Sequence, residues 1–192
     1  MNTPSHFLMT AALEQALPRI PIVKRAFLLG SIMPDLPLWL LSIGGYVYYH
    51  WILGWSMAET SRFMFDHLFF NDPVWMTLHN TLHSPVVLLT GLALVWQRRQ
   101  NISSTSRWWF WFFLACLLHS TVDILTHHND GPLMFFPLHW SDRFYSPVSY
   151  WEIAHYAREF AIFELGLDLI CFVFLLRAPV IRYLQRSQFF NY

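Results

Sequence analysis

Residues 108–126 read WWFWFFLACLLHSTVDILT, and the fold class turns on this run. It contains no Lys or Arg, and at about 1.5 Å per residue a helix of this length crosses a hydrocarbon core of about 30 Å. Its ionisable pair, His119 and Asp123, stands in the second half, four residues apart. A helix that is apolar around most of its circumference belongs in a bilayer or deep in a protein core. Composition decides between the two. The chain is 55% hydrophobic and 19% aromatic, and only 12% of it is Asp, Glu, Lys or Arg, about half the charge of an ordinary soluble domain.

On either side of that run, three further segments have the apolarity of spans: Phe27 to Ile43, Ser84 to Trp96 and Phe160 to Leu176. The second is short by itself. Asp72 followed by Pro73 is an N-cap and first-turn pair, however, which starts its helix at Pro73 and predicts a kink at Pro85. Pro4 to Leu17 is also helix-like and is expected either to lie along the inner surface or to dip through a thinned membrane. The expected fold class is all-α: a polytopic membrane helix bundle of about four to five membrane helices plus interfacial helices, with residues 1–192 forming a single integral membrane domain. Gln97 to Arg107, the most polar stretch, is too short to separate two cores. The apolar run Phe7 to Leu13 is interrupted by Glu14 and has no basic residues before it, so no cleaved signal peptide is expected. Cys116 and Cys171 each sit in an apolar run and read as buried, inert thiols.

Charge is balanced overall, with twelve basic and twelve acidic residues, which argues against a nucleic-acid partner. Its placement is uneven. Arg19, Lys24, Arg25, Arg98, Arg99, Arg107, Arg177, Arg182 and Arg186 gather at one set of span ends, while the opposite connections hold Arg62, Arg143 and Arg158. The positive-inside rule then predicts a multi-pass protein with its C-terminus in the cytoplasm and its long aromatic loops outside.

The spans carry acids without basic partners: Asp35 in the first, Asp123 in the third, Glu164 and Asp168 in the fourth. Such groups cost several kcal/mol at membrane depth and mark a pathway or a site unless protonation, hydrogen bonds or a cation neutralises them. His79 and His83 are four residues apart, as are His119 and Asp123, and in a helix each such pair projects from one face. Under this topology the two pairs meet near the outer boundary. Pro34 and Pro37 flank Asp35 and predict a broken helix that displays its carboxylate. By ligand type the ion is divalent, zinc first and manganese second. His127 continues the second stripe one turn further, and one carboxylate, His127 or His128 is the candidate general base, taking the proton from water.

These motifs resemble the bacterial membrane-bound metal-dependent hydrolase family, of the LexA-regulated inner-membrane type. The resemblance runs from Ser5-His6 through Met33-Pro34-Asp35, His79, His83-Ser84, His119, Asp123 and Thr126 to Gly131-Pro132 and Phe136-Pro137, about three-quarters of the chain. It implies a metal site built from His6, Asp35, His79, His83, His119 and Asp123, and is remotely similar to zinc-dependent phospholipase C. Two features depart from the family pattern. Pro37 stands where a second acid is common, and three residues separate His79 from His83, with Asn80 in place of an Arg.

The expected function is a membrane-bound metal-dependent hydrolase that directs activated water at a phosphoester or lipid-like substrate, with membrane lipid around it and a small-molecule or lipid substrate as its partner. The alternatives are a non-enzymatic cation or proton transporter or sensor using the same cluster, for which Glu164 and Asp168 offer a path, and an interaction subunit whose acids meet a partner's polar groups. The sequence leaves the oligomeric state open. For orientation, Ser141→Cys should react with an impermeant thiol reagent added outside intact cells, and Ser103→Cys only after the membrane is opened; the reverse pattern overturns the orientation.

Overall fold

The computed structural model describes residues 1–97 and 104–189, with side chains for 1–96 and 105–177. Arg98, Arg99 and Ser103, used above for orientation, lie outside the described residues, as do the side chains of Arg182 and Arg186. The helices are α1 (Thr3–Ala16), α2 (Lys24–Gly30), α3 (Leu36–Gly45), α4 (Met57–Arg62), α5 (Phe69–Asn71), α6 (Pro73–Asn80), α7 (Pro85–Gln97), α8 (Ser104–Thr126) and α9 (Ala157–Phe189). Wider π turns over Tyr46–Ile52 and Phe63–Leu68 continue α3 and α4. Among the described residues the extended pairing consists of one isolated bridge, Leu133 with Arg143.

The run that decided the fold class is α8. Among the described residues it is the helix that by itself is long and apolar enough to cross a membrane, over Thr105–Thr126, and α6 with α7 passes as a pair bent by 46°. That bend falls where Pro85 was expected to kink the helix, and Asp72 caps α6 by accepting from the backbone N–H groups of Val74 and Trp75. The expected first span is divided: α2 stops at Gly30, turns occupy Ser31 to Asp35, and α3 restarts at Leu36. The fourth is continuous in α9, but Glu159, Glu164, Asp168 and Arg177 interrupt its apolar length. Among the described residues, then, one helix, or two elements with the bent pair, have the length and apolarity of a span, against the four to five expected.

α8 packs between α2 and α7, and α1 lies on α9. Ala26, Leu88, Phe112 and Cys116 form the buried core of the α2–α7–α8 layer, and Met64, Phe69 and Trp75 form a second core under the aromatic segment. On α9, Ile162, Leu165 and Ile170 face outward with 75%, 72% and 68% exposure. Gly30 lets α2 and α8 approach closely, because a Cβ there would overlap the Phe112 carbonyl oxygen and come within 2.8 Å of Ala115 Cβ.

Gly30→Val should therefore push the two helices apart and destabilise the protein by about 1–3 kcal/mol. Gly44→Ala, with nothing within 4 Å, should be neutral. Thermal unfolding in detergent compares them, and equal midpoints would refute the tight crossing.

Candidate metal centre

Two helix breaks and one intact helix bring four side chains together. In α8 the i to i+4 spacing stacks His119 over Asp123. Asp35 comes from the turn between α2 and α3, and His83 from the turn between α6 and α7. Asp35 Oδ1 lies 3.4 Å from Nε2 of both His83 and His119, and Asp123 Oδ2 lies 3.5 Å and 3.0 Å from the same two nitrogens. One ligand atom from each of the four falls within 4.8 Å of all the others, a group able to hold a metal ion.

The breaks also orient the rings. In an unbroken helix the Ser31 carbonyl would accept from the Asp35 N–H. Here that N–H bonds Ile32 instead, and the Ser31 carbonyl is left for His119 Nδ1 at 2.9 Å. In the same way the His83 N–H turns to Asn80, freeing the His79 carbonyl for His83 Nδ1 at 2.7 Å. A carbonyl only accepts, so in each neutral ring Nδ1 carries the hydrogen and Nε2 is an acceptor. Both Nε2 atoms are buried without a hydrogen-bond partner. The Ser120 hydroxyl donates to the His83 carbonyl and ties this break to α8.

The other candidates divide. His6 reaches the cluster from α1: its Nε2 donates to Asp123 Oδ1 at 2.9 Å, and its ring stacks on His119 with centroids 3.7 Å apart. The Met1 amino nitrogen lies 3.1 Å from the same oxygen. His79 is outside the four-atom group; its ring rests against His83, centroids 4.3 Å apart. The spacing argument fails there because the helix ends at Asn80, so His79 and His83 do not share a helical face. His127 Nε2 lies 3.7 Å from Asp123 Oδ1 and its Nδ1 3.1 Å from Asp130 Oδ2. His128 turns to the loop that follows α8, bonded to the Ser146 carbonyl at 2.7 Å and stacked on His155, and so is not brought to the cluster with His127.

Several participants went unread in the sequence. Thr3 Oγ1 donates to Asp35 Oδ2 at 2.5 Å. Asn80 accepts from Leu133 N–H at 2.7 Å and donates to the Met76 carbonyl at 2.8 Å, while Ser84 donates to the Phe136 carbonyl at 2.8 Å. Together they fasten the α6–α7 break to residues 131–137. Glu164 and Asp168, read as a possible ion path, are engaged by α1 through Asn2 and Ser5. The i, i+3 polar repeat of α1 was the available signal, but it names no partner.

A cavity of about 600 Å³ opens onto the cluster, with Asp35, His79, Asp123 and His127 at its floor and Leu38, Trp39, Phe65, Phe69, Phe70 and Trp151 among its walls. In the loop between α8 and α9 burial raises Asp130, but the His127 contact and the Trp151 indole N–H, donating at 2.8 Å, outweigh it and hold the carboxyl below the ordinary aspartate range. Burial, reinforced by nearby acids, pushes the Tyr150 phenol up.

Residues 1–184 match the profile of the family described as YdjM inner membrane protein, and the chain belongs to that family. No curated protein matches the chain, and no solved structure does.

Because the His79 carbonyl survives truncation of its side chain, His79→Ala should retain most of the metal carried by the wild type, whereas His83→Ala should lose it. Metal analysis of the two purified variants checks this, and equal loss would return His79 to the ligand set.

Proposed function

We propose that this chain, a member of the YdjM inner membrane protein family, is a multi-pass metal-dependent hydrolase acting on a phosphoester carried by a membrane-delivered, lipid-like molecule. The observation that carries the reading is the convergence of four ligand atoms, Asp35 Oδ1, Asp123 Oδ2 and the two Nε2 atoms of His83 and His119, which with both rings neutral include no hydrogen donor. Such a group is repulsive in apolar surroundings until a cation fills it. Two imidazoles with two carboxylates suit zinc first and manganese second. A divalent ion held there supplies Lewis acidity toward a phosphoryl oxygen and lowers the pKa of water.

The chain's own residues do the rest. Asp35, His83, His119 and Asp123 hold the ion, each oriented by a second hydrogen bond on its far atom. His127, at the cavity floor, is the group to accept a proton at Nε2, with Asp130 fixing its ring through Nδ1. The aromatic and aliphatic walls match the apolar part of the substrate. Outward rows such as Ile162, Leu165 and Ile170 on α9 face lipid in this reading, with α2–α3, α6–α7, α8 and α9 as four broken or whole crossings and the C-terminus in the cytoplasm. Engagement of Glu164 and of one Asp168 oxygen by α1 supports this reading over transport.

Metal content is measured in wild type, Asp123→Asn and His119→Ala, together with release of phosphate or headgroup from a panel of lipid and phosphoester substrates. Removing a ligand should cost more than the roughly 10- to 100-fold typical of outer-shell changes and abolish turnover with it. Full occupancy in both variants would sink the site; bound metal in the wild type without turnover on any substrate would sink the hydrolase reading and leave the site standing.

A further inference from the structure

The first turn of α1 has two polar faces. Thr3 and His6 meet the cluster: Thr3 Oγ1 donates to Asp35 Oδ2 at 2.5 Å and His6 Nε2 to Asp123 Oδ1 at 2.9 Å. Asn2 and Ser5 meet α9 instead. The Asn2 backbone N–H donates to Glu164 Oε1 and its side-chain Nδ2 to Glu164 Oε2, both at 2.7 Å, while Ser5 Oγ donates to Asp168 Oδ2 at 2.8 Å. Residues three apart share a side of a helix, so a single turn touches the acids of the cluster while being held by acids of another helix.

We infer that Glu164 is a positioning residue for the metal centre, acting through α1. The inference rests on reading the cluster as a metal centre. The Asn2 N–H is among the donors that a helix start leaves without an intrahelical partner, and gripping it together with the Asn2 amide fixes both the rotation and the depth of the turn. That placement aims Thr3 at Asp35 and His6 at Asp123. Each of them occupies one carboxylate oxygen and leaves the other, Oδ1 of Asp35 and Oδ2 of Asp123, facing the two histidine nitrogens. If the turn rotates, both carboxylates swing with it. Glu164 is 5% exposed, which keeps water from replacing the Asn2 donors.

The test is the Zn²⁺ dissociation constant of the full chain in detergent, by chelator competition, for wild type, Glu164→Leu, Glu164→Gln, Thr3→Val, the Thr3→Val/Glu164→Leu double variant and Gln15→Leu. Glu164→Leu should weaken binding about 10- to 100-fold, as outer-shell changes do. Glu164→Gln keeps one of the two acceptor oxygens and should recover part of the loss. Gln15→Leu cuts the bond to the Phe174 carbonyl at the far end of the same helix contact and should leave the constant unchanged. The double variant should lose no more than Glu164→Leu alone, because the two residues act along one route.

Wild-type affinity in Glu164→Leu, an additive double variant, or equal damage from Gln15→Leu each overturns the positioning role while the metal centre stands. A wild type that binds no Zn²⁺ overturns the metal reading itself and this role with it. Should Glu164→Leu not fold, Asn2→Ala carries the test: it removes the side-chain half of the grip and should weaken binding about tenfold, and unchanged affinity would overturn the proposal.

Discussion

Carboxyl groups set into apolar helices, with no Lys or Arg in the same segments, must find donors or a cation, because an unpartnered one costs several kcal/mol. The rest of the architecture follows from how that demand is met. Glu164 and Asp168 are met by Asn2 and Ser5 of α1. Asp35 and Asp123 are met on one oxygen each, by Thr3 and His6. Their other oxygens face His83 and His119, whose Nδ1 hydrogens are already committed to backbone carbonyls. Of these oxygens, the two that face the histidine nitrogens form the candidate centre, while Asp168 Oδ1 on α9 is also buried without a hydrogen-bond partner. Packing α1 against α9 is part of the same solution, since α1 brings the donors for all four acids.

The prolines act one step earlier. Pro85 lacks an N–H and Pro34 sits at the end of the turn that follows α2, so neither segment continues as a regular helix. A broken helix ordinarily leaves carbonyls unpaired, which is costly away from water. Here Ser31 and His79 contribute the carbonyls left over by the two breaks, and each receives an imidazole Nδ1. The same defect that releases a carbonyl therefore fixes a tautomer and aims a lone pair. This couples helix geometry to site chemistry more tightly than ligand spacing alone would.

Much of this was legible in the sequence where the physics is local. The α8 run, the His119–Asp123 pair, the cap at Asp72 and the break around Asp35 each follow from residues a few positions apart, and the structure has them. What failed was reasoning that assumed a regular helix or needed a distant partner. His79 and His83 were paired on one face, but the helix stops between them. His128 was grouped with His127 by adjacency, although consecutive residues beyond the end of α8 point to different neighbours. Thr3 and Asn2 are unremarkable in the sequence and Asn80 reads only as a departure from a pattern; the fold joins them to Asp35, Glu164 and Leu133 across long separations.

The shape of the open side of the site has its own physical origin. α8 closes one flank of the cluster and α1 another, and the open direction is the cavity between the 61–70 segment and residues 129–132. These walls belong to different parts of the chain, and Arg143 joins them. Its guanidinium donates to the Gly131 carbonyl and lies 5.4 Å and 5.2 Å from the Phe69 and Phe70 ring centroids, a geometry in which cation–π attraction adds to apolar packing. Burial lowers the Arg143 pKa, yet an arginine stays charged in proteins, so the attraction persists and is strengthened by poor solvation. The separation of the walls is therefore set by a residue outside the cavity lining, and any change in the seating of Arg143 moves the aromatic wall relative to the floor that holds Asp123 and His127.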